Sequence, residues 1–126
     1  MVIPTELQEQ ISLVKILRRS RILFAAVPNG GYRLKREAMS LRASGVRKGF
    51  PDMLVLDPPP GVPGSKGVAL ELKRSNGRPS DVRPEQKVWL SRLEAVGWVP
   101  MVAFGERDAV KKLRALGYEL KAGDAL

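Results

Sequence analysis

The sequence contains neither cysteine nor histidine. Without cysteine there is no disulfide, no thiolate metal site and no thiol nucleophile. Without histidine there is no Ser-His triad, no imidazole zinc site and no imidazole general base. Hydrolytic chemistry in such a chain runs on carboxylates, Lys, Tyr or a bound ion, and the ion must be one that takes oxygen ligands. A continuous apolar run long enough to cross a bilayer is missing too. The first amphipathic segment is too charged for a secretory signal, so no membrane association is expected. Acid is scarce: 13 Asp and Glu stand against 22 Lys and Arg, a net charge of +9. That surplus points to a polyanionic partner, most simply nucleic acid. A solubility surplus, or a nucleic-acid-binding protein with no activity, would show the same balance.

What is present suits one folded domain. The 126 residues with 44% hydrophobic content can build a single modest core. The chain is organised around two stretches, Gly49 to Leu56 and Gly67 to Lys73, both mainly β-favouring residues bounded by Gly and Pro. Each carries charge where a core strand should have none. Asp52 stands at the mouth of the first, and Glu71 and Lys73 interrupt the second. Residues two apart on a strand share a face, so Ala69, Glu71 and Lys73 point the same way. With the two strands adjacent, Asp52 joins them, giving two carboxylates and one ammonium at one end of a mostly buried sheet.

Two carboxylates about 4 Å apart repel by roughly 4 kcal/mol at an effective dielectric near 20. A divalent cation reverses that sign. Magnesium-like ions take carboxylate, carbonyl, water and phosphate oxygens, polarise a phosphate and acidify a bound water. Lys73 suits orienting that water or neutralising charge on the phosphate. The cluster therefore reads as a divalent-metal site for cutting a phosphodiester. The bland alternative is an edge-strand pair of Glu71 and Lys73, with Asp52 capping a turn. A lone E-x-K triplet is common; the Pro51-Asp52 pair at a strand start, about twenty residues upstream, favours a site.

Around these strands, Pro4 to Ser20 reads as an amphipathic helix, with Thr5 at the N-cap and Gln8 completing a capping box. Glu6, Gln10, Leu13 and Leu17 form one stripe, polar at its start and apolar at its end. Glu9 is the rival acid on the adjacent stripe, and Glu6 also suits the helix dipole. Ile22 to Val27 reads as a strand, broken by a Pro28–Gly31 turn. The following stretch is basic, with Arg33, Lys35, Arg36, Arg42, Arg47 and Lys48. Arg36 to Ala43 suits a short helix. Gly45 to Gly49 reads as a flexible basic loop, either against a DNA backbone or solvated. With Arg74, these cations (Arg42 aside) are the expected DNA contacts.

The Pro- and Gly-rich Asp57–Ser65 segment reads as an exposed connection, and Arg74 to Arg83 as a loop. Pro84 suits the first turn of a helix whose buried stripe is Trp89, Leu90, Leu93 and Val96, with Gly97 at C′. Gln86 lies on that apolar stripe. Its amide either bonds a carboxylate or a water near the ion, or satisfies first-turn backbone. Trp98 to Phe104 reads as a strand. Glu106 to Leu116 reads as a helix with Ala109, Val110 and Leu113 inward and Lys111, Lys112 and Arg114 outward. Residues 1–117 form the expected domain, and 118–126 a weakly ordered tail in which Tyr118 and Leu120 could add an edge strand. The order αβββαβα suggests an α/β fold with a mixed central sheet flanked by helices. Three early strands run antiparallel and a fourth is parallel after a helical crossover.

Pro51-Asp52 followed by Glu71-Leu72-Lys73 resembles the PD-(D/E)xK nuclease signature. A longer ordered set resembles the VRR-NUC branch of that superfamily in its small stand-alone viral and bacterial form. It comprises Glu6 with Gln10, the G-V-R-K-G-F-P-D run from Gly45 to Asp52, Leu70 to Lys73, Gln86, and Leu93 with Gly97. The likeness runs from about Glu6 to Phe104. It implies a restriction-endonuclease-like core and a magnesium- or manganese-dependent endodeoxyribonuclease. Small members are often homodimers acting on branched DNA such as Holliday junctions, in the cytoplasm of a bacterial cell or phage-infected host. Larger relatives act in interstrand-crosslink repair. Carried over by position, the resemblance makes Asp52, Glu71 and the Leu72 carbonyl metal ligands. Lys73 becomes the catalytic assistant, Glu6 a further acid acting through metal or water, and Gln86 a supporting amide. A homodimer also follows from symmetry, because resolving a junction takes two cuts about a two-fold axis. The competing readings are a catalytically silent basic nucleic-acid-binding protein and a sequence-reading restriction-type endonuclease. Nothing here resembles a recognition helix.

Overall fold

The structure is a computed structural model and describes residues 2–28 and 35–122, with side chains from 39 onward in the second range. Its centre is the strand expected to carry Glu71. Val68–Lys73 (β3) is buried along its whole length, as a strand covered on both faces must be. It follows α1 (Glu6–Arg19), β1 (Phe24–Ala26), α2 (Lys35–Ala43) and β2 (Met53–Val55), and precedes α3 (Pro84–Ala95), β4 (Val99–Phe104) and α4 (Glu106–Ala115). The sheet order is β1-β2-β3-β4. The first two pairings are antiparallel and β3–β4 is parallel, because α3 carries the chain back across the sheet. This is the expected mixed α/β architecture, with α2 inserted between β1 and β2 of the expected αβββαβα order.

Alternation divides β3 between two layers. Val68, Leu70 and Leu72 join Met53 and Val55 of β2 in one core with Leu13, Ile16 and Leu17 of α1 and Ala109, Val110 and Leu113 of α4. Ala69, Glu71 and Lys73 take the other face, where Gln86 of α3 meets the two charged residues. The Thr5 capping box starts α1: Gln8 N–H donates to Thr5 Oγ1 at 3.1 Å and Thr5 N–H to Gln8 Oε1 at 2.8 Å.

The outer margin of β4 is partly capped by side chains. Val99 N–H donates to Gly67 O, so residues 99, 101 and 103 face β3 and Pro100, Val102 and Phe104 face outward. Pro100 has no N–H. Lys112 Nζ donates to Val102 O at 2.6 Å, and Phe104 N–H donates to Asp108 Oδ2 at 2.9 Å. Asp108 and Lys112 are themselves an i,i+4 pair at 3.0 Å. Burial opposes it, yet the Phe104 N–H and Lys112 hold the Asp108 carboxyl below its usual range.

Three details differ from the sequence reading. Val96 lies just past the end of α3 and is exposed rather than on its buried stripe. The 74–83 segment contains a 3-10 turn, Pro79–Asp81. Tyr118 and Leu120, placed in the tail by the sequence, are core residues without being a strand, and Tyr118 Oη donates to Asp57 O. Burial, with the nearby Asp57 charge, pushes the Tyr118 hydroxyl up to about 12. Residues 29–31 of the expected turn and 123–126 of the tail lie outside the described residues. No described helix is long and apolar enough to cross a membrane.

Candidate active site

The site begins with a proline. The β2–β3 register pairs Met53 with Leu70, and two further steps put Pro51 across from Leu72. Pro51 has no N–H, so it cannot donate to the Leu72 carbonyl. The Leu72 N–H donates instead to Asp52 Oδ2 at 2.7 Å. From the other side, Val27 N–H donates to Asp52 O at 2.8 Å, which fixes the Asp52 backbone beside β1.

Glu71 is 3% exposed, Gln86 5% and Lys73 7%. Groups this buried must be partnered, and Gln86 supplies the partners. Its Nε2 donates to Glu71 Oε2 at 2.9 Å, while its Oε1 accepts from Lys73 Nζ at 3.0 Å and from Arg83 N–H at 2.9 Å. Lys73 Nζ also lies 3.6 Å from Glu71 Oε2. The reading of Gln86 as an amide that meets a carboxylate therefore describes its contacts, and it satisfies first-turn backbone as well.

One atom is left over. Glu71 Oε1 is buried and has no hydrogen-bond partner among the described residues. The Asp52 carboxyl lies within hydrogen-bonding reach of the Glu71 carboxyl. Two carboxylates have no proton to offer each other, so the contact is repulsive until a proton or a cation enters. Burial, then the Asp52 charge, pushes Glu71 up to about 8 against the opposing pull of Lys73. Burial raises Asp52 as well, against the Leu72 N–H and the charges of Lys73 and Arg83.

These groups open into a cavity of about 490 Å³ lined by Glu6, Gly49, Phe50, Asp52, Glu71, Lys73, Arg74, Asn76, Gly77, Asp81, Arg83 and Gln86. Of the two rival acids on α1, Glu6 lines this cavity. Glu9 is buried elsewhere, its Oε1 accepting from Glu106 N–H at 3.1 Å. No group of three or more His, Cys, Asp or Glu side chains gathers as a metal cluster among the described residues. The donor set is two carboxylates, one of them with an orphaned oxygen, beside a backbone carbonyl denied its ladder donor by Pro51. That set suits a hard divalent cation that keeps water and phosphate in its remaining positions.

The expected DNA contacts are placed unevenly. Arg33, and the side chains of Lys35 and Arg36, lie outside the described residues. Arg47 and Lys48 are exposed beside α3. The loop they sit on docks against that helix. A Cβ on Gly49, at φ +86°, would come within 2.7 Å of Glu85 Cγ and 2.8 Å of its backbone carbon. The Arg47 guanidinium lies 5.2 Å from the Trp89 ring centroid, and the Phe50 ring meets Trp89 edge-on at 5.2 Å. Lys48 reaches Glu85 only at 4.0 Å. Arg74 donates to two backbone carbonyls, Pro4 O at 3.2 Å and Ile3 O at 3.3 Å. Sequence reasoning missed Phe50, Asn76 and Asp81 in the cavity wall. Their only signal was proximity to Asp52 or to the loop after Lys73.

No family model matches the chain, and no curated protein matches it. A solved structure described as a VRR_NUC domain protein superposes with a TM-score of 0.70 at 19% identity, covering 98% of this chain and 94% of that one. This chain has the VRR_NUC fold. At that identity the likeness is one of architecture, and it spans nearly the whole of both chains. Within the VRR_NUC fold of this protein, the Asp52–Glu71–Lys73 group stands where β2 and β3 meet, covered by α3.

Proposed function

We propose that the protein is a PD-(D/E)xK-type, magnesium- or manganese-dependent endodeoxyribonuclease of the VRR-NUC kind. Its substrate on this reading is branched DNA, and its role is that of a homodimeric Holliday-junction resolvase in DNA repair. The observation that carries the reading is the orphaned, buried Glu71 Oε1 beside Asp52, an arrangement that costs stability until a proton or a cation satisfies it. The net charge of +9 supports a polyanionic substrate.

Asp52, Glu71 and the Leu72 carbonyl would hold the ion. When bound, the ion supplies Lewis acidity to a phosphate oxygen and neutralises the two carboxylates. Hydrolysis adds a water oxygen to phosphorus, breaks one P–O bond, and moves one proton from the water and one to the leaving oxygen. Lys73, held by Gln86 Oε1, is oriented to stabilise negative charge building on the phosphate. Gln86 keeps Lys73 and Glu71 from collapsing into a closed ion pair by bonding both. Glu6, at the cavity wall, is an acid available to order the attacking water.

Purified protein with Mg2+ or Mn2+ is expected to cut four-way or flapped DNA in preference to linear duplex, with cleavage abolished in a folded Lys73→Ala variant. Intact four-way, flapped, linear and single-stranded DNA with either metal would overturn the proposal. DNA binding without cleavage would favour a silent binding protein. Equal cleavage of linear plasmid and junction would favour a restriction-type enzyme.

A further inference from the structure

Arg74 follows Lys73 at the end of β3 and borders the cavity, where a cation invites assignment to substrate phosphate. Its hydrogen bonds run elsewhere. Nε donates to Pro4 O and Nη2 to Ile3 O, carbonyls that precede the Thr5 N-cap. The rigid planar fork of Arg suits such a two-carbonyl grip better than a mobile ammonium would.

Five residues past Pro4, α1 is held a second time. Glu9, 8% exposed, accepts the Glu106 N–H at the start of α4. Gly105 permits that approach, since a Cβ there would lie 3.1 Å from Glu9 Oε2. Glu6 lies between the two tethers, on the first residue of α1, where a helix frays most readily. One anchor leaves the first turn free to pivot; two, on either side of Glu6, set both its rise and its rotation.

We infer that Arg74 is a positioning residue that holds Glu6 over the catalytic cavity, rather than a contact to DNA. The inference rests on the nuclease reading above for what Glu6 does, and on geometry alone for the tether.

The test pairs hydrogen exchange with kinetics. The amides of Gln8 and Glu9, which bond to Thr5, should exchange about tenfold faster in Arg74→Ala than in wild type. On a cleavable DNA, kcat should fall roughly 10- to 100-fold with KM unchanged. Arg74→Lys, keeping one bond, should recover part of both effects. In a Glu6→Gln background the Arg74→Ala change should add less than about twofold, since both act through one group. A raised KM with intact kcat and a salt slope smaller by about one would assign Arg74 to a phosphate and overturn the inference. Penalties that multiply, or unchanged exchange at Gln8 and Glu9, would overturn it as well. Wild-type protein that cuts no DNA overturns the nuclease reading and the catalytic half of this inference together. The exchange data distinguish that failure from failure of the tether.

Discussion

Asp52 Oδ2 accepts the Leu72 N–H at 2.7 Å, joining the mouth of β2 to the next-to-last residue of β3. The bond needs an acceptor at that position but not a charge. Asp52→Asn should therefore keep the fold, with stability within about 1 kcal/mol of wild type or higher, because it relieves the clash with Glu71. Cleavage should fall by about 10²-fold or more. Urea denaturation and a single-turnover assay read the two effects separately.

The second expectation concerns pH. Glu71 has a folded-state value of about 8 against an ordinary 4.5, and Asp52 is shifted in the same direction. An acid whose value rises on folding favours its protonated form in the native state. Its destabilising effect is absent below about 4.5, grows through the interval, and is complete near 8. Metal-free wild type should thus lose thermal stability relative to Glu71→Gln as pH rises from 4.5 to 8. Mg2+ or Mn2+ should raise the wild-type midpoint at pH 8, with far less effect at pH 5, because cation and protons compete for the same oxygens. A pH-independent difference between the two proteins would count against the shared carboxylate site.

Gln86 serves three partners, so it cannot be trimmed cheaply. Gln86→Ala leaves Lys73 Nζ, Arg83 N–H and Glu71 Oε2 each short of a bond. A loss of about 2–4 kcal/mol is expected by chemical denaturation. Gln86→Glu keeps the acceptor for Lys73 and Arg83 but removes the donor to Glu71 and adds a third acid. It should fold less stably at pH 8 than at pH 5.

Tyr118 tests how far the folded unit extends. Tyr118→Ala removes a 6%-exposed ring from the core and should cost about 3–4 kcal/mol. Tyr118→Phe, which loses only the hydroxyl bond to Asp57 O, should cost about 1 kcal/mol. A tail that merely rests on the surface would show neither loss.

The central strands were legible because β3 is buried on both faces. In an otherwise apolar run, Glu71 and Lys73 could be there only for a reason, and period-two alternation put them on one side. Gln86 was legible through helix phase, sharing a stripe with Leu90. Glu6 and Glu9 were not separable that way, being less than one turn apart. A bond from Glu9 to Glu106, 97 positions along the chain, separates their surroundings: Glu9 is held there, while Glu6 lines the cavity. Arg74 shows a related limit: its bonds to Ile3 and Pro4 come from the other end of the chain, and nothing in the local pattern after Lys73 signals them. Val96 fitted the stripe of α3, but the helix ends one residue earlier. The Gly45–Gly49 loop looked mobile by composition, and Gly49 instead lets it press against Glu85.

The partial capping of β4 by Pro100, Asp108 and Lys112 bears on how strands of other copies could add to this sheet. A sheet with two receptive margins can recruit strand after strand into a filament. With one margin partly capped, strand-to-strand growth among the described strands is left mainly the β1 side. Strand pairing through the β4 side is thereby disfavoured, and β1 is the more open margin among the described strands.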